Sequence, residues 1–333
     1  MPPLNRRTFV TSAAAFGIAI TGRANAADRF QYKYGSNVPA DHPLNARMMQ
    51  AVAAIKNETQ DRLEITVFPN SQLGGDTAML EQLRTGAMQF FTLDGGILQS
   101  VVPVAAIQGV GFAFRDSDEA FLTMDGSLGG YVRDQITSAG LHPFDKMWAN
   151  GMRQITTSTR PIRSAIDLSG LKIRTPAGKL WIDLFKSLGA SPTPLNFNEV
   201  YTALQTHIVD GQENPYAVIE TAKLYEVQKY LSVTNHMWSA YWMLANDAAW
   251  KALPGDIQAV VARNFDKYAL LQRADVAKLN ATLADNLRKQ GLTVNAAATA
   301  DFRGRLGGFY ARWKGEFGNR AWDLLEKSVG KLA

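Results

Sequence analysis

Strand-like and helix-like patterns alternate along two stretches of this chain, and this alternation limits its fold more than any other feature. In the first stretch the order is strand 30–34, helix 43–59, strand 63–68, helix 76–85 and strand 88–93. In the second it is strand 171–174, a helix capped by Thr175 with Pro176 at its first position, helix 199–206, and a strand starting at Ile208. Helices between successive strands are typical of parallel βαβ units. The sequence therefore predicts an α/β fold with parallel strands.

A faint internal repeat indicates two similar lobes. Segment 83–88 (LRTGAM) parallels segment 204–209 (LQTHIV), and each lies at a predicted junction between a helix and a strand. A polar residue follows each segment at nearly the same distance along the chain. It is Asp94 after segment 83–88 and Asn214 after segment 204–209. We therefore expect these two side chains to occupy related places in the two lobes.

A long helical pattern is expected to connect the lobes. It runs from Pro254 to about Lys289 and contains no proline or glycine after its first turn. A helix of roughly 33 residues is about 50 Å long at 1.5 Å per residue. The chain of 333 residues has room for two lobes of ordinary size, and one lobe of that size is shorter than this helix. We predict that the helix lies across both lobes.

The N-terminus has the order of an export signal. Arg6 and Arg7 form a basic start that resembles a twin-arginine motif, a short apolar stretch follows at 11–21, and Ala24 and Ala26 occupy the small positions of a cleavage site. The apolar stretch is too short to span a bilayer. We predict a signal peptide at 1–26, a mature chain in the periplasm, and the twin-arginine route rather than the Sec route.

The sequence offers little for catalysis, for a cofactor or metal, or for nucleic-acid binding. It has no cysteine, and its four histidines lack metal-ligand spacing. We find no nucleophile elbow, dinucleotide loop or phosphate-binding loop. Removal of 1–26 lowers the basic residues from 35 to 32 against 30 acidic ones, so no basic surface for nucleic acid is indicated. We predict no enzyme, cofactor or metal site; an exported α/β enzyme acting on a carboxylic acid stays an alternative.

One arginine stands where an open α/β sheet binds ligands. Arg174 ends a predicted strand and precedes a predicted helix start. Ligands of such sheets bind at the carboxyl ends of strands. A guanidinium presents a planar fork to a carboxylate, and the free amides of a helix start add positive potential. The position is compatible with carboxylate binding, but by itself it is equally that of a surface arginine paired with an aspartate, and this alternative stays open.

Several ordered motifs resemble one family over nearly the whole mature chain. They are 72–74 (QLG), 150–154 (NGMRQ), 160–162 (RPI), 170–176 (GLKIRTP), 189–194 (GASPTP), 199–205 (EVYTALQ) and 209–215 (VDGQENP). These segments are similar to the solute receptors of tripartite ATP-independent periplasmic (TRAP) transporters, of the C4-dicarboxylate-receptor type. The resemblance implies a receptor that captures a small organic carboxylate and delivers it to the small and large membrane subunits of a permease. A receptor for an ABC importer or a sensor kinase is the other binding-protein alternative.

The resemblance also implies an architecture. The expected fold is a two-lobed periplasmic binding protein in which crossing strands form the hinge and one long helix braces both lobes. We place lobe I at 27–150 plus 240–279 and lobe II at 151–239 plus 280–333. The family usually has glycine where this chain has His207, which we expect to adopt the same left-handed helix end.

Seven site residues follow from the resemblance, residue by residue. Arg174 corresponds to the family's principal carboxylate-binding arginine and Arg153 to a second one. Asn214 corresponds to a ligand-contacting asparagine. The remaining residues match positions that often line the pocket or reach the ligand, namely Phe197, Asn37, Asp94 and Tyr241.

Tryptophans near the expected pocket indicate what kind of group the ligand carries beyond its carboxylate, here called its tail. Trp148 precedes the Asn-Gly-x-Arg motif, and Trp181 shares a face of the predicted helix with Ala177. We assign both to the site, whereas for Trp238 and Trp242 we favour the core. Aromatic walls around an arginine favour a flat or apolar tail. The sequence thus favours an aromatic or a 2-oxo/2-hydroxy monocarboxylate.

Overall fold

The computed structural model describes residues 29–332. The predicted signal peptide at 1–26, with its arginine pair and cleavage site, lies outside the described residues. Between 29 and 332, no helix is both long enough and apolar enough to cross a bilayer.

Eleven strands and thirteen α-helices are present in the described range. The strands are β1 (Phe30–Gly35), β2 (Leu63–Phe68), β3 (Phe90–Asp94), β4 (Leu141–Pro143), β5 (Trp148–Thr157), β6 (Lys172–Thr175), β7 (Ser191–Pro194), β8 (Gly211–Pro215), β9 (Tyr230–Val233), β10 (Trp238–Asn246) and β11 (Thr293–Ala296). The helices are α1 (Pro43–Glu58), α2 (Asp76–Thr85), α3 (Gly95–Leu98), α4 (Ser117–Asp125), α5 (Ser127–Ser138), α6 (Lys179–Ser187), α7 (Val200–Gln205), α8 (Tyr216–Thr221), α9 (Asp247–Ala252), α10 (Gly255–Lys289), α11 (Thr299–Gly304), α12 (Gly307–Phe317) and α13 (Asn319–Val329).

The strands form one sheet with a parallel flank on each side and two long antiparallel strands in the middle. Its main order is β2-β1-β3-β10-β5-β8-β6-β7. Strand β1 is parallel to β2 and β3, and β6 is parallel to β7 and β8. Strand β10 is antiparallel to β3 and β5, and β5 is antiparallel to β8. Strands β5 and β10 therefore connect two α/β halves, which confirms the predicted two-lobed fold with crossing strands.

The start of α6 differs from the prediction. Thr175 is the last residue of β6 and pairs with Pro194, so it is held extended and does not cap a helix. The amide of Gly178 donates to the carbonyl oxygen of Pro176 at 2.8 Å, and Gly178 occupies the N-cap position. The prediction of a helix starting at Pro176 was wrong because the chain turns once before it becomes helical.

Strand β8 also starts later than the predicted Ile208, because the turn that ends α7 extends further than the sequence indicated. The amides of Ile208 and Val209 both donate to the carbonyl oxygen of Ala203, at 3.0 and 3.3 Å, and so belong to the turn that ends α7. His207 in that turn has a φ of 57°, as predicted, and Gly86 at the related place after α2 has a φ of 80°. The two junctions therefore end their helices in the same left-handed way.

The long helix braces both halves, as predicted. Helix α10 has 35 residues, which corresponds to about 50 Å. It contacts α1 and β5 along one part of its length and α8 and β11 along another. The lobe boundaries stay a prediction; α13, which the prediction assigned to lobe II, contacts α4 and α5.

Candidate functional site

A small cavity lies where the two halves of the sheet meet. Most of its lining comes from the carboxyl ends of strands and the segments that follow them, which is where α/β sheets bind ligands. The lining residues are Asn37, Val38, Asp76, Asp94, Ile97, Asn150, Arg153, Arg174, Pro176, Trp181, Phe197, Asn214, Val218 and Tyr241.

Eight of the nine predicted site residues line this cavity, and Trp148 does not. Trp148 is fully buried in the apolar cluster that α10 forms with the first half of the sheet. Gly151, with a φ of 125°, interrupts the alternation of side chains along β5, so the spacing from the arginine motif did not fix the side on which Trp148 lies. Trp238 packs against Phe114 and Phe121 and is also part of the core.

Trp181 lines the cavity, although the reason given for it from the sequence was incorrect. Helix α6 begins at Lys179, so Ala177 precedes the helix and shares no helical face with Trp181. Trp181 reaches the cavity from the first turn of α6 with 1% of its surface exposed.

Arg174 enters the cavity from the end of β6. It is 1% exposed, and its Nε and Nη2 donate to the carbonyl oxygen of Leu195 at 3.1 and 2.6 Å. Its Cζ lies 5.9 Å from the centroid of the Phe197 ring. Within residues 29–332 it forms no salt bridge, and Nη1 donates to no protein atom. Burial lowers the pKa of Arg174 to about 10, which reflects a charge that the protein stabilises poorly.

Arg153 lies in the same cavity with its charge neutralised. Both Nε and Nη2 donate to the carboxylate of Glu213, with Nη2 2.8 Å from Oε1. Nη2 also lies 3.1 Å from Oδ1 of Asn214, and Nη1 donates to Oγ of Ser239 at 3.2 Å. Although burial alone would lower the pKa of Arg153, the charge and hydrogen bonds of Glu213 raise it. Most of its donors are therefore occupied by the protein.

Glu213 has a second partner beside the arginine. Its Oε2 lies 3.1 Å from Nε2 of His236, whose Nδ1 is 2.8 Å from Oγ1 of Thr234. Burial would raise the pKa of Glu213, but the charge of Arg153 and the hydrogen bonds from His236 and Arg153 lower it. Burial lowers the pKa of His236. The carboxylate is thus held ionised beside a neutral imidazole near pH 7.

Ser239 connects this pair to the first half of the sheet. Its Oγ donates to Oδ2 of Asp94 and accepts from Nδ2 of Asn150 at 2.9 Å. Oδ1 of Asp94 accepts from the amide of Gly96 at 2.8 Å, which caps α3. Burial raises the pKa of Asp94, with Arg153 opposing the shift. The register of β5 and β10 shifts at Ser239, and such irregularities commonly redirect a side chain toward a site.

Asp76 is the one charged residue of this lining that the sequence analysis did not assign to the site. It is 3% exposed, and its Oδ1 has no hydrogen-bond partner in the described chain. Burial raises the pKa of Asp76 to about 6, although the charge of Arg174 opposes the shift. An acidic residue in the first turn of a helix is ordinarily explained by the helix dipole, so its position at the start of α2 hid its role.

The cavity therefore combines one unpaired guanidinium with neutral and acidic hydrogen-bonding groups. Its amides come from Asn37, Asn150 and Asn214, and its apolar surface from Val38, Ile97 and other side chains. Among residues 29–332, no group of three or more His, Asp or Glu side chains is arranged to hold a metal ion. Such an arrangement can bind the carboxylate of a small molecule and hydrogen-bond the rest of it.

Two α/β halves joined by crossing strands, with a buried basic group in the cavity between them, define a two-lobed solute-binding protein. The profile of the bacterial extracellular solute-binding protein family 7 (DctP) matches residues 34–316. The chain belongs to this family and is a TRAP-type solute-binding protein.

Curated relatives agree with that membership. The 2,3-diketo-L-gulonate-binding periplasmic protein YiaO of Escherichia coli is 31% identical over 286 residues, which are 86% of this chain and 85% of YiaO. The Sinorhizobium fredii protein y4mM is 37% identical over 228 residues, which are 68% of this chain; the match spans only 42% of that longer protein.

A solved structure has the same fold. The TRAP periplasmic solute-binding protein from Polaromonas sp. JS666, bound to D-erythronate, superposes with a TM-score of 0.86 and is 33% identical. The superposition covers 89% of this chain and 98% of the Polaromonas chain.

Proposed function

We propose that this protein is the periplasmic receptor of a TRAP transporter for a small, hydroxylated monocarboxylate. It is exported by its N-terminal signal peptide and delivers its ligand to the small and large subunits of a membrane permease. The observation that carries this proposal is Arg174, a buried guanidinium in the cavity between the lobes that forms no salt bridge with a protein carboxylate of the described chain. Isolated buried charges are costly, so a ligand carboxylate at this place would offset that cost.

The other charges of the cavity favour one carboxylate rather than two. Arg153 is already paired with Glu213, so it offers little to a second carboxylate. Asp76 and Asp94 both line the cavity, and a second ligand carboxylate close to either would be repelled. The same side chains accept hydrogen bonds from hydroxyl groups. A monocarboxylate with hydroxyls, a 2-hydroxy acid among them, matches this lining.

Two relatives support the same class of ligand. The protein from Polaromonas was crystallised with D-erythronate, and YiaO is named for 2,3-diketo-L-gulonate. Both compounds are monocarboxylates that carry oxygen substituents along a short carbon chain. Transfer of this ligand class to the present chain rests on the acidic and amide side chains of its own cavity.

An aromatic acid is the second candidate ligand. Trp181, Phe197 and Tyr241 line the cavity and could contact a flat tail. An apolar ring is the poorer match, because it would leave Oδ1 of Asp76 and Oδ1 of Asn150 buried without a hydrogen-bond partner. For that reason we favour the hydroxylated tail.

The test is a binding screen with purified mature protein. Thermal shift and titration calorimetry would compare aldonates such as erythronate, 2-hydroxy and 2-oxo acids, succinate, and aromatic acids. We expect an aldonate or another 2-hydroxy acid to bind, and a ligand at 100 times its Kd stabilises by about 2.7 kcal/mol. Tighter binding of an aromatic acid or of succinate would contradict the proposed class. Conversion of the bound acid, followed by NMR, would favour the enzyme alternative.

A further inference from the structure

The indole of Trp181 lies directly against the backbone of two glycines. A Cβ atom built on Gly96 would lie 2.0 Å from Cζ3 and 2.4 Å from Cη2 of the indole, closer than any real contact. A Cβ built on Gly178 would lie 2.7 Å from Cε3. Gly96 belongs to α3 in the first half of the sheet, and Gly178 precedes α6 in the second. The six-membered ring therefore fits only because both positions lack a side chain.

Arg153 holds the same indole from another side. Its Cζ lies 5.4 Å from the centroid of the Trp181 ring, within the range of a cation–π contact. Arg153 is itself fixed by Glu213 and Ser239. Because one face carries a guanidinium and one edge touches backbone, the ring has little free surface on which a flat ligand could stack. Its role in the cavity is to occupy space.

The backbone that carries Trp181 is also fixed. The amide of Leu180 donates to Oε1 of Gln99 at 3.2 Å, across the two halves of the molecule. The side chain of Leu180 packs beside Gly109, and that of Leu184 packs beside Gly111. The start of α6 therefore has no room to move away from the cavity.

We propose that Trp181, seated against Gly96 and Gly178, sets the maximum length of the ligand. This inference rests on the proposed function, because it takes the ligand carboxylate to be fixed at Arg174. A ligand held there extends from Arg174 into the small cavity that Trp181 and its neighbours line. Gly96 is then a specificity-determining residue that touches no ligand and acts through the position of the indole.

The first test truncates the indole. Wild type, Trp181→Ala and the control Trp242→Ala would be titrated with four-, five- and six-carbon aldonates by calorimetry. Trp242 is a fully buried tryptophan of the same apolar cluster that does not line the cavity. In Trp181→Ala we expect the six-carbon acid to gain roughly tenfold or more over the four-carbon acid, since one methylene in a fitted pocket changes affinity by roughly 10- to 200-fold. In Trp242→Ala the ranking should stay as in wild type.

The second test does not depend on loss of a large core side chain. Gly96→Ala should push the indole into the cavity and weaken the six-carbon acid by roughly tenfold more than the four-carbon acid. In the Trp181→Phe background, whose smaller ring leaves space for the methyl group, the same substitution should have little effect. Gly130→Ala is the matched control, because a Cβ there meets no atom closer than 3.9 Å.

The outcomes separate the two proposals. If wild type binds none of the acids, the proposed ligand class fails, and the length limit fails with it. If wild type binds but its length preference is the same in Trp181→Ala and Gly96→Ala, only the role of Trp181 is overturned. Gly96→Ala could also change the length preference equally in wild type and in the Trp181→Phe background. That result would exclude an action of Gly96 through the indole.

Discussion

Arg153 and Arg174 line one cavity and are almost equally buried, yet their surroundings differ. Arg153 gives most of its donors to Glu213, Asn214 and Ser239, and its guanidinium forms a salt bridge. Arg174 donates to a single backbone oxygen, that of Leu195, and has no salt bridge in the described chain. The same side chain is thus neutralised by a neighbouring carboxylate in one place and left without a salt bridge in the other.

The pKa shifts of the two arginines agree with this difference. Burial lowers the pKa of Arg174 to about 10, whereas Glu213 raises the pKa of Arg153 against the same effect of burial. Removal of one member of a buried ion pair is strongly destabilising, because it leaves the other charge uncompensated. The comparison teaches that burial and position do not identify a binding arginine; the lack of a salt bridge to a protein carboxylate does.

The largest expected effect is on the scaffold arginine. Arg153→Met should lower the free energy of unfolding by about 3–5 kcal/mol, because it leaves the buried carboxylate of Glu213 without its cation. The double variant Arg153→Met/Glu213→Gln should recover most of the loss, since neither charge remains. Urea denaturation measures both. A stable Arg153→Met variant would show that the two arginines do not differ in this way.

The next effect is on binding. Arg174→Met should weaken binding of the carboxylate ligand by about 2–5 kcal/mol, because it removes the partner of a buried charge. Arg174→Lys should also bind weakly, since lysine keeps the charge but loses the planar fork. Both variants should unfold within about 1 kcal/mol of wild type, because Arg174 forms hydrogen bonds to Leu195 and a contact with Phe197 but no salt bridge in the described chain. Unchanged affinity by calorimetry would refute the assignment of Arg174.

Asp76 allows a test through pH. Its pKa is raised to about 6 from an ordinary 3.8, so between these values the folded protein binds more protons than the unfolded chain. The free energy of unfolding of wild type therefore falls as pH rises through this window, by about 3 kcal/mol at most for this group. Asp76→Asn lacks this component, so its stability relative to wild type should increase from pH 4 to pH 6. A constant difference in urea denaturation across that range would show that burial does not raise the pKa of Asp76.

The smallest expected effect concerns the link between the two halves. Ser239→Ala removes the hydroxyl that lies between Asp94 and Arg153. We expect a loss of roughly 1–2 kcal/mol in the free energy of unfolding, because buried polar groups lose a partner. The control Ser138→Ala, at an exposed helix end, should change stability by less. Equal effects of the two substitutions would show that Ser239 contributes nothing particular to the network.

Local patterns predicted much of the fold because they depend on neighbours in sequence. The alternation of strands and helices, the long helix α10 and the left-handed turn at His207 are all set by contacts within a few residues. Where a long-range contact overrode the local preference, the prediction failed. Pairing with Pro194 held Thr175 in β6, although its sequence is that of a helix cap.

The same distinction between local patterns and long-range contacts applies to the candidate site. By itself the sequence determined that Arg174 ends a strand at the ligand-binding edge of an α/β sheet, and its motifs predicted most of the residues that line the cavity. Only the tertiary structure decided that Glu213, sixty residues away, neutralises Arg153, that Asp76 is buried in the same cavity as Arg174, and that Trp181 rather than Trp148 reaches the cavity. The physical reason is that charge neutralisation and burial depend on which side chains meet in space, and periodicity along the chain carries no record of those partners.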